Sequence, residues 1–489
     1  MKRLNSLRLA EKWRSLFEPL RRTAFLTSDF ELLYLKTESL ADVGTLPQCA
    51  EVSQKYMQLQ DGDIIVTSDP YSGGTVVSSP TLVIGIGNRT QKGVTAAEFL
   101  LASRITSLPR INDAKTIDEE GLRIPPTPFY IRGEPNVAII EALRSHPLAT
   151  KNFVEELEAE AKKLKLVRER VKLEITKEYM SRTALRQFLS ESGKEFGRII
   201  DELSVGVGTY ELGISPNETI KVRAEIHEGQ VFFDFTGTTA GQNVFMTDSA
   251  TMGAAVGALI SMLGKSIPIN SGVLSKIDIK SPKGSLVNSA FPRPLYVGHT
   301  DGLSLLANAV TLALGRIDQK LAWAASGWSH CAMEIRFQNG RHVGIWMPVG
   351  TGATRKAPGI DCVHIWRRLA LPDSIEDGEK QFPVQVTHIG FRSNSGGPGK
   401  YAGGRGVAAT VKMIEDVEIA WNYLDALHKP EGVAGGKSGQ GPEIVIHSID
   451  GTKTSLPTRG RQKLRRGDMI TILSPGGGGY GAPEEQPTQ

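Results

Sequence analysis

The sequence predicts an α+β protein, a large mixed fold with antiparallel sheets, a central helical segment and a glycine-rich β region at its C-terminal end. Short apolar runs separated by turn residues fill 24–36 and 82–105, a pattern typical of paired antiparallel strands. Residues 137–203 repeat apolar side chains at helical spacing, with Glu and Lys on the opposite face. Beyond about residue 372, short apolar strands alternate with glycine turns. These changes divide the chain into four predicted regions, residues 1–136, 137–203, 204–371 and 372–489.

The first region is expected to begin with an amphipathic helix that packs on the body of the protein. Its apolar residues recur at helical spacing. They are Leu9, Trp13, Leu16 and Leu20. Further along, a turn at 61–63 leads into the apolar run 64–66, which predicts a buried strand. The polar, glycine-bearing loop 68–75 ends that strand, and loops at strand ends commonly carry functional groups.

In the second half of the chain, residues 249–263 and 302–315 are predicted to be helices. The first is rich in Gly and Ala, which suits a closely packed internal helix. The glycine-rich segment 396–406 is expected to form a structured turn, with a surface hairpin as the alternative, and 475–481 a glycine hairpin and tail. Strands are predicted at 384–391, 408–413, 417–421, 443–448 and 470–473.

Composition excludes several classes of protein. The net charge of +4, from 57 basic and 53 acidic residues, is too balanced for a nucleic-acid surface. The longest uncharged apolar run, 249–264, is shorter than the roughly 20 residues that span a bilayer. Three widely spaced cysteines without a CxxC motif indicate a reduced, cytoplasmic protein. We therefore expect no nucleic-acid partner, no membrane span and a cytoplasmic location.

Nucleotide, nucleophile and metal motifs are absent. Lys437 and Ser438 resemble the end of a phosphate loop, but Glu431 stands where that loop needs glycine. None of the nine histidines precedes His146, and no HExxH occurs. His299 and Asp301 are adjacent enough in sequence for an imidazole–carboxylate pair. The alternative is that Thr300 or Asp301 caps the following helix.

Several loops together resemble one family, the hydantoinase B proteins. Similar motifs follow one another in the family's order over residues 60–483. They are DPYSGGT (69–75), EEGLRIPP (119–126), ELEAE (156–160), DFTGT (234–238) with Gln242 and Asn243, PIN (268–270), PKGSLVN (282–288), SGGPGKYAGGRG (395–406) and SPGGGGYG (474–481). Each motif is weak alone, but their shared order covers nearly the whole chain.

This resemblance implies the B-type subunit of an ATP-dependent cyclic-amide hydrolase, related to hydantoinases and 5-oxoprolinases and also to acetone and acetophenone carboxylases. An A-type subunit with an actin-like ATPase fold would phosphorylate the carbonyl oxygen of the substrate. The absence of an ATP motif fits that division, so this chain is expected to hold no cofactor while its partner uses ATP. The alternative is a catalytically degenerate scaffold or regulatory subunit, for which a second B-type subunit is an expected partner.

The chain departs from the family where histidines are expected. Members read GGTHxPD, whereas Val76-Val77-Ser78-Ser79 follow Thr75 here. Members also carry a histidine pair in an RAHHADVGG-like segment, which corresponds to 102–108. Those side chains are thought to hold a divalent metal, and valine cannot ligate one. We therefore expect a degenerate site without a metal.

The candidate site residues come from the motifs that remain. The candidate catalytic residues are Asp69, Tyr71 and Arg123, because an acid, a phenol and a cation that binds phosphate could still place water beside an activated substrate. The candidate substrate-binding residues are Gly73, Gly74, Thr75, Asp234, Gln242, Asn243, His299 and Asp301.

Overall fold

The computed structural model describes residues 6–87, 96–105, 114–363 and 374–483. It confirms the mixed α+β class, with 30% helix, 27% strand and four mostly antiparallel sheets. The helices are α1 (Ser6–Leu16), α2 (Asp42–Met57), α3 (Val137–Arg144), α4 (Phe153–Ile175), α5 (Arg182–Asp201), α6 (Asp248–Leu263), α7 (Ser271–Leu274), α8 (Leu303–Ile317) and α9 (Ile375–Gln381). None of the described helices is long and apolar enough to cross a membrane.

The strands confirm most of the sequence-based prediction, although the sequence analysis does not predict those in 333–345 and 453–464. They are β1 (Thr23–Thr27), β2 (Leu32–Lys36), β3 (Ile64–Thr67), β4 (Thr81–Ile86), β5 (Phe99–Arg104), β6 (Thr127–Ile131), β7 (Glu134–Pro135), β8 (Gly206–Ser215), β9 (Glu218–His227), β10 (Gln230–Asp234), β11 (Ile277–Lys280), β12 (Met333–Phe337), β13 (His342–Ile345), β14 (Val384–Phe391), β15 (Val407–Met413), β16 (Val417–Asn422), β17 (Glu443–His447), β18 (Lys453–Ser455), β19 (Arg459–Leu464) and β20 (Met469–Leu473).

The N-terminal sheet, in the order β2-β1-β5-β4-β3-β6-β7, has helices on both faces. Successive side chains of a strand point to opposite faces. Ile64 and Val66 therefore pack with Trp13 of α1 and Leu164 of α4, whereas Ile65 packs under α2. Burial on both faces explains why this strand reads as an unbroken apolar run.

A charged cluster is buried beneath the same sheet. Arg22 binds both carboxylate oxygens of Asp42, at 2.6 and 2.5 Å, and the Nη1 of Arg104 reaches Asp42 Oδ1 at 2.7 Å. Burial raises the pKa of Asp42, but the two guanidinium groups outweigh burial and hold that pKa below its ordinary value. The carboxylate is therefore ionised, and the cluster joins α2 to β5.

The middle of the chain forms a second layer. Helices α6 and α8 pack on the sheet β11-β10-β9-β8, in which β10 and β11 run parallel. Helix α6 also lies against α2, where a Cβ at Gly44 would fall 1.9 Å from the carbonyl oxygen of Ser249. Only glycine permits this approach. The small residues that predicted a closely packed helix thus bring the first two layers together.

The C-terminal part is a sandwich of two sheets, β13-β12-β16-β19 and β14-β15-β20-β17-β18, with an apolar core between them. Because β12 pairs with β16, strands from both sides of residue 371 share one sheet. The division into four regions stays a prediction, and strand pairing crosses its last boundary.

The prediction of a glycine hairpin at 475–481 is wrong. Residues 475–479 are instead a buried stretch without regular secondary structure, and the segment hydrogen-bonds to other loops. Gly477 donates to Gly404 at 2.9 Å, and Gly478 donates to Ala325 at 2.8 Å. A Cβ at Gly477 would fall 2.0 Å from the carbonyl oxygen of Thr351. The segment 396–406 is the predicted structured turn: Gly403 donates to the carbonyl of Gly397, and the turn packs against this tail.

The Asp42 cluster predicts a large loss of stability when one partner is removed. Arg104→Met leaves a buried charge without one of its two cations, so the free energy of unfolding should fall by about 3–5 kcal/mol. Urea denaturation measures the change. Arg405→Met is the matched control, because Arg405 pairs with Asp361 on the surface, where water screens both charges, and its loss should change stability far less. Equal losses in the two variants would contradict this account.

Candidate active site

The loop at 69–75 is a tight polar turn at the end of β3. Asp69 caps the short 3-10 helix Pro70–Ser72: its Oδ1 accepts from the backbone N–H of Tyr71 at 3.1 Å, and its Oδ2 accepts from the hydroxyl of Ser72 at 2.9 Å. Gly73 ends the helix at φ +90°, a conformation that favours glycine. Gly74 then donates back to the carbonyl of Asp69 at 2.9 Å.

Two buried side chains hold this loop from opposite sides. Nη2 of Arg104 donates to the carbonyl oxygen of Gly73 at 2.7 Å. Nδ1 of His299 lies 2.6 Å from the carbonyl oxygen of Thr75. The backbone of the loop is therefore fixed from the first layer by Arg104 and from the second layer by His299.

His299 has a defined protonation state. Its Nε2 accepts from the backbone N–H of Thr247 at 3.0 Å, so the ring proton lies on Nδ1 and is donated to Thr75. Burial lowers the pKa of His299 to about 4, against the opposing hydrogen bond to Thr75. A neutral, fully bonded imidazole is a poor proton shuttle, and here it joins the loop to the start of α6.

Arg123 is the cation that lies against the loop. Its Nε donates to Asp118 Oδ1 at 2.6 Å, and its Nη1 is 3.6 Å from Asp69 Oδ2. The guanidinium also stacks on the ring of Phe291, with 5.1 Å between the guanidinium carbon and the ring centroid. The hydrogen bond to Asp118 raises the pKa of Arg123, so its charge is permanent.

Tyr71 links the loop to the segment 290–296. Its hydroxyl donates to the carbonyl oxygen of Arg293 at 2.9 Å, and its ring meets that of Phe291 edge-on at 5.5 Å. Burial raises the pKa of Tyr71, which keeps the phenol protonated. Beside this segment lies a cleft of about 360 Å³. Among its lining residues are Lys115, Gly241, Phe245, Phe291 and Arg293.

The sequence analysis does not predict Glu120 as a site residue, although Glu120 lies in the EEGLRIPP motif. It is 6% exposed, and its Oε1 accepts from the backbone N–H of Tyr296 at 2.7 Å. Burial raises the pKa of Glu120 to about 8, against the opposing backbone bonds from Tyr296 and Leu295. The neighbouring Glu119 is exposed. The sequence shows two adjacent acids and carries no signal for which of them is buried.

Three predicted binding residues lie in a structural turn. Asp234 ends β10, where it accepts from the backbone N–H of Thr236 and lies 3.2 Å from Lys280. The backbone N–H groups of Gln242 and Asn243 both donate to the buried carboxylate of Glu218, at 2.7 Å. These contacts shape the loop that carries Gly241 and Phe245 into the 360 Å³ cleft.

Asp301 is also bonded within the protein. Its carboxylate accepts from the hydroxyl of Ser329 at 2.8 Å and from the backbone N–H of Leu424 at 3.0 Å. It caps no helix, and neither does Thr300, since a π-helical turn, Gly298–Gly302, runs directly into α8. The prediction of a helix cap here is wrong. Asp301 joins the second layer to the C-terminal sandwich.

The comparison with protein families agrees with this geometry. The Hydantoinase B/oxoprolinase family matches residues 22–483, which include all the motifs described above. This chain belongs to that family. An uncharacterized protein of Methanocaldococcus jannaschii is 27% identical over 95% of this chain and 84% of its own length.

Hydantoinase B relatives include longer proteins. The 5-oxoprolinase 1 of Arabidopsis thaliana is 24% identical over 87% of this chain, which spans 36% of that protein. The chain thus covers about a third of the length of the curated 5-oxoprolinases it matches. The crystal structure of ATP-dependent caprolactamase from Pseudomonas jessenii has the same fold, with a TM-score of 0.83 at 17% identity, covering 99% of this chain and 90% of that one.

Val76 stands at the position where the resemblance to the family implies a histidine, and Val77 follows it. Val76 packs against Tyr296 and Ala332, and Val77 packs against Ile117 and Phe245. Both valines are 4% exposed. Within the described ranges, no group of three or more His, Cys, Asp or Glu is arranged to hold a metal ion. Of the second predicted departure, residues 102–108, the structure describes 102–105, which include the end of β5.

The buried His299 predicts a specific dependence of stability on pH. Its pKa is about 4 in the folded protein and ordinarily 6.5. Between these values the unfolded chain binds a proton that the folded chain does not, so stability is lost as pH falls from 7 toward 4. The loss should approach about 3 kcal/mol.

Urea denaturation at several pH values measures this effect. His299→Gln keeps a donor and an acceptor without a titrating ring, so its stability should fall less steeply between pH 7 and pH 4 than that of the unmodified chain. His227→Gln, at an exposed strand end, should keep the original slope. If the slope is the same with and without His299, the imidazole is not the titrating group.

Proposed function

We propose that this chain is the B-type subunit of an ATP-dependent cyclic-amide hydrolase of the hydantoinase and 5-oxoprolinase type. In this proposal an A-type ATPase subunit phosphorylates the carbonyl oxygen of the substrate and delivers the activated species to this chain. Membership of the family over residues 22–483 supports this class of reaction. The caprolactamase that shares the fold is itself ATP-dependent.

The observation that carries the proposal is the position of Arg123. Two carboxylates, Asp69 and Asp118, and the ring of Phe291 hold its guanidinium beside the loop 69–75. A guanidinium has five N–H donors in a rigid fork, so these partners leave donors for a phosphoryl group. A cation fixed in advance stabilises developing negative charge without reorganising during the reaction.

The proposed chemistry follows from that cation. An amide is a poor electrophile, and phosphorylation turns its oxygen into a leaving group. Arg123 would bind the phosphoryl oxygens, while Asp69 and Asp118 keep the guanidinium in place. Tyr71, as a neutral phenol bonded to the 290–293 backbone, would fix the wall against which the substrate lies. Positioning of this kind can contribute several kcal/mol.

A second function, a scaffold or regulatory subunit, is favoured by Val76 and Val77. Val76 puts hydrocarbon where the resemblance implies a histidine, and Val77 beside it is buried against Ile117 and Phe245. An attacking water that depends on a metal would lose its activation in such a site. In this alternative the chain assembles with an A-type subunit and a second B-type subunit that retains the histidines.

A coupled assay separates the two functions. With the cognate A-type subunit, ATP and a panel of hydantoins, lactams and 5-oxoproline, we expect ring opening. Arg123→Gln should lower kcat/KM by about a hundredfold or more, because the charge on the phosphoryl group loses its fixed partner. Asp69→Asn should also lower turnover, since it removes the charge that orients Arg123 and weakens the cap of the loop.

Asp118→Asn is the matched control for that assay. Its carboxylate also binds Arg123 but is more than half exposed, so the loss of turnover should be the smallest of the three. Size-exclusion chromatography with the A-type subunit shows whether each variant still assembles. Assembly without any turnover in the unmodified chain would establish the scaffold. Turnover that survives Arg123→Gln would place the reaction elsewhere.

The metal content of the chain gives an independent prediction. Because Val76 and Val77 offer no ligand, the purified, untagged protein should hold no stoichiometric Zn, Mn or Fe. Elemental analysis by mass spectrometry measures this after dialysis without chelator. A stoichiometric metal that is lost in Asp69→Asn would overturn the prediction and indicate a metal site at the loop 69–75.

A further inference from the structure

The cleft beside the segment 290–296 has a positively charged lining. Its volume of about 360 Å³ lies within the range of small-molecule sites. The described residues that line it include two cations, Lys115 and Arg293, and no carboxylate. Both cations are exposed, so a molecule in the cleft can reach them. A cleft with this lining attracts an anion.

Arg293 is held in place through both its backbone and its side chain. Its backbone carbonyl oxygen accepts from the hydroxyl of Tyr71 at 2.9 Å. Its guanidinium stacks on the ring of Phe245, with 5.2 Å between the guanidinium carbon and the ring centroid. Phe245 is 4% exposed, so that ring is itself fixed by packing. No carboxylate of the described residues lies within ion-pair distance of Arg293, which leaves its fork of N–H donors for an anion.

Each of the two aromatic rings that line the cleft carries an arginine. Arg123 lies against Phe291, and Arg293 lies against Phe245. Two carboxylates already offset part of the charge of Arg123, whereas Arg293 has no such partner. The stronger attraction for a singly charged substituent is therefore at Arg293. In the proposed function Arg123 binds the phosphoryl group, so Arg293 stays available for a different part of the substrate.

We propose that Arg293 selects the substrate by charge: the cleft takes cyclic amides whose ring carries a carboxylate, and that carboxylate binds the guanidinium of Arg293. This inference rests on the proposed function and deepens it by naming the class of substrate. A guanidinium and a carboxylate form two parallel charge-assisted hydrogen bonds, which no neutral substituent can match. Lys115 adds a second positive charge to the same lining.

Direct binding to the full chain tests the proposal with pairs of molecules that differ in charge but hardly in shape. Hydantoin-5-acetate and 5-oxoproline each carry a carboxylate, whereas hydantoin-5-acetamide and 5-oxoprolinamide carry a neutral amide in its place. Ligand-observed NMR titration near neutral pH measures the Kd of each molecule. We expect the carboxylate of at least one pair to bind about tenfold or more tightly than its amide.

Substitution of Arg293 should remove that preference and little else. Arg293→Gln loses the charge, so the carboxylate and its amide should bind with Kd values within about twofold of each other, while the Kd of the amide stays near its original value. Arg293→Lys keeps the charge without the planar fork, so it should keep part of the preference. A merely structural role of Arg293 would weaken the carboxylate and the amide alike.

Arg341→Gln is the matched control. Arg341 also stacks on a ring, that of Phe382 at 4.9 Å, but it lines a different cleft. This variant should keep the full preference for the carboxylate. Lys115→Gln should reduce the preference less than Arg293→Gln does, because an ammonium group is a point charge on a flexible stem. Circular dichroism checks that each variant is folded.

Failure of this proposal is distinct from failure of the proposed function, because the binding measurement needs neither ATP nor an A-type subunit. If neither carboxylate binds, if carboxylate and amide bind equally well, or if Arg293→Gln keeps the preference, Arg293 does not select the substrate. Equal kcat/KM for the carboxylates and their amides in the coupled assay would also contradict the selection and leave the hydrolase intact. A preference that depends on Arg293, in a chain without turnover, supports the selection and contradicts only the hydrolase.

Discussion

The candidate site depends on one buried guanidinium. Arg104 is 2% exposed, and its donors go to Asp42 and Thr45 of α2, Thr81 of β4 and the carbonyl oxygen of Gly73. A buried charge is tolerated only when it is paired and its donors are used, so these contacts constrain one another. The turn at Gly73 is therefore positioned by the core of the N-terminal layer, and Asp69 and Tyr71 occupy defined places because that turn does.

The acidic side chains of the site region divide by what surrounds them. Glu218 and Asp301 accept several backbone or hydroxyl hydrogen bonds, so each carboxylate ties together the segments that donate to it. Asp69 is shared between capping its loop and orienting Arg123. Glu120 has an oxygen with no partner. Glu120 therefore differs from Glu218 and Asp301, whose oxygens accept hydrogen bonds from the segments around them.

The sequence predicted the fold class and most elements because periodicity reports burial directly, as for the run Ile64 to Val66. It also placed Asp69, Tyr71 and Arg123 in motifs that the fold brings together. It could not reveal that Asp301 bonds to Leu424, more than a hundred residues away, or that Gly477 lies against Thr351. Such contacts depend on how layers meet, and no local pattern encodes them. For the same reason, the sequence does not show which of Glu119 and Glu120 is buried.

The valines at 76 and 77 bear on the kind of catalysis that the proposed function can use. Hydrocarbon beside Tyr296 and Phe245 excludes water and lowers the local dielectric, which strengthens every remaining charge interaction. His299 is neutral in this environment and Glu120 is protonated at pH 7, so the positive charges at the loop are those of Arg123 and Arg104, and Arg104 is buried and paired with Asp42. A site of this composition favours binding of an anion over activation of water. In the proposed function, hydrolysis therefore draws its rate from the activation of the substrate by phosphorylation and from the position of Arg123, rather than from a strengthened nucleophile.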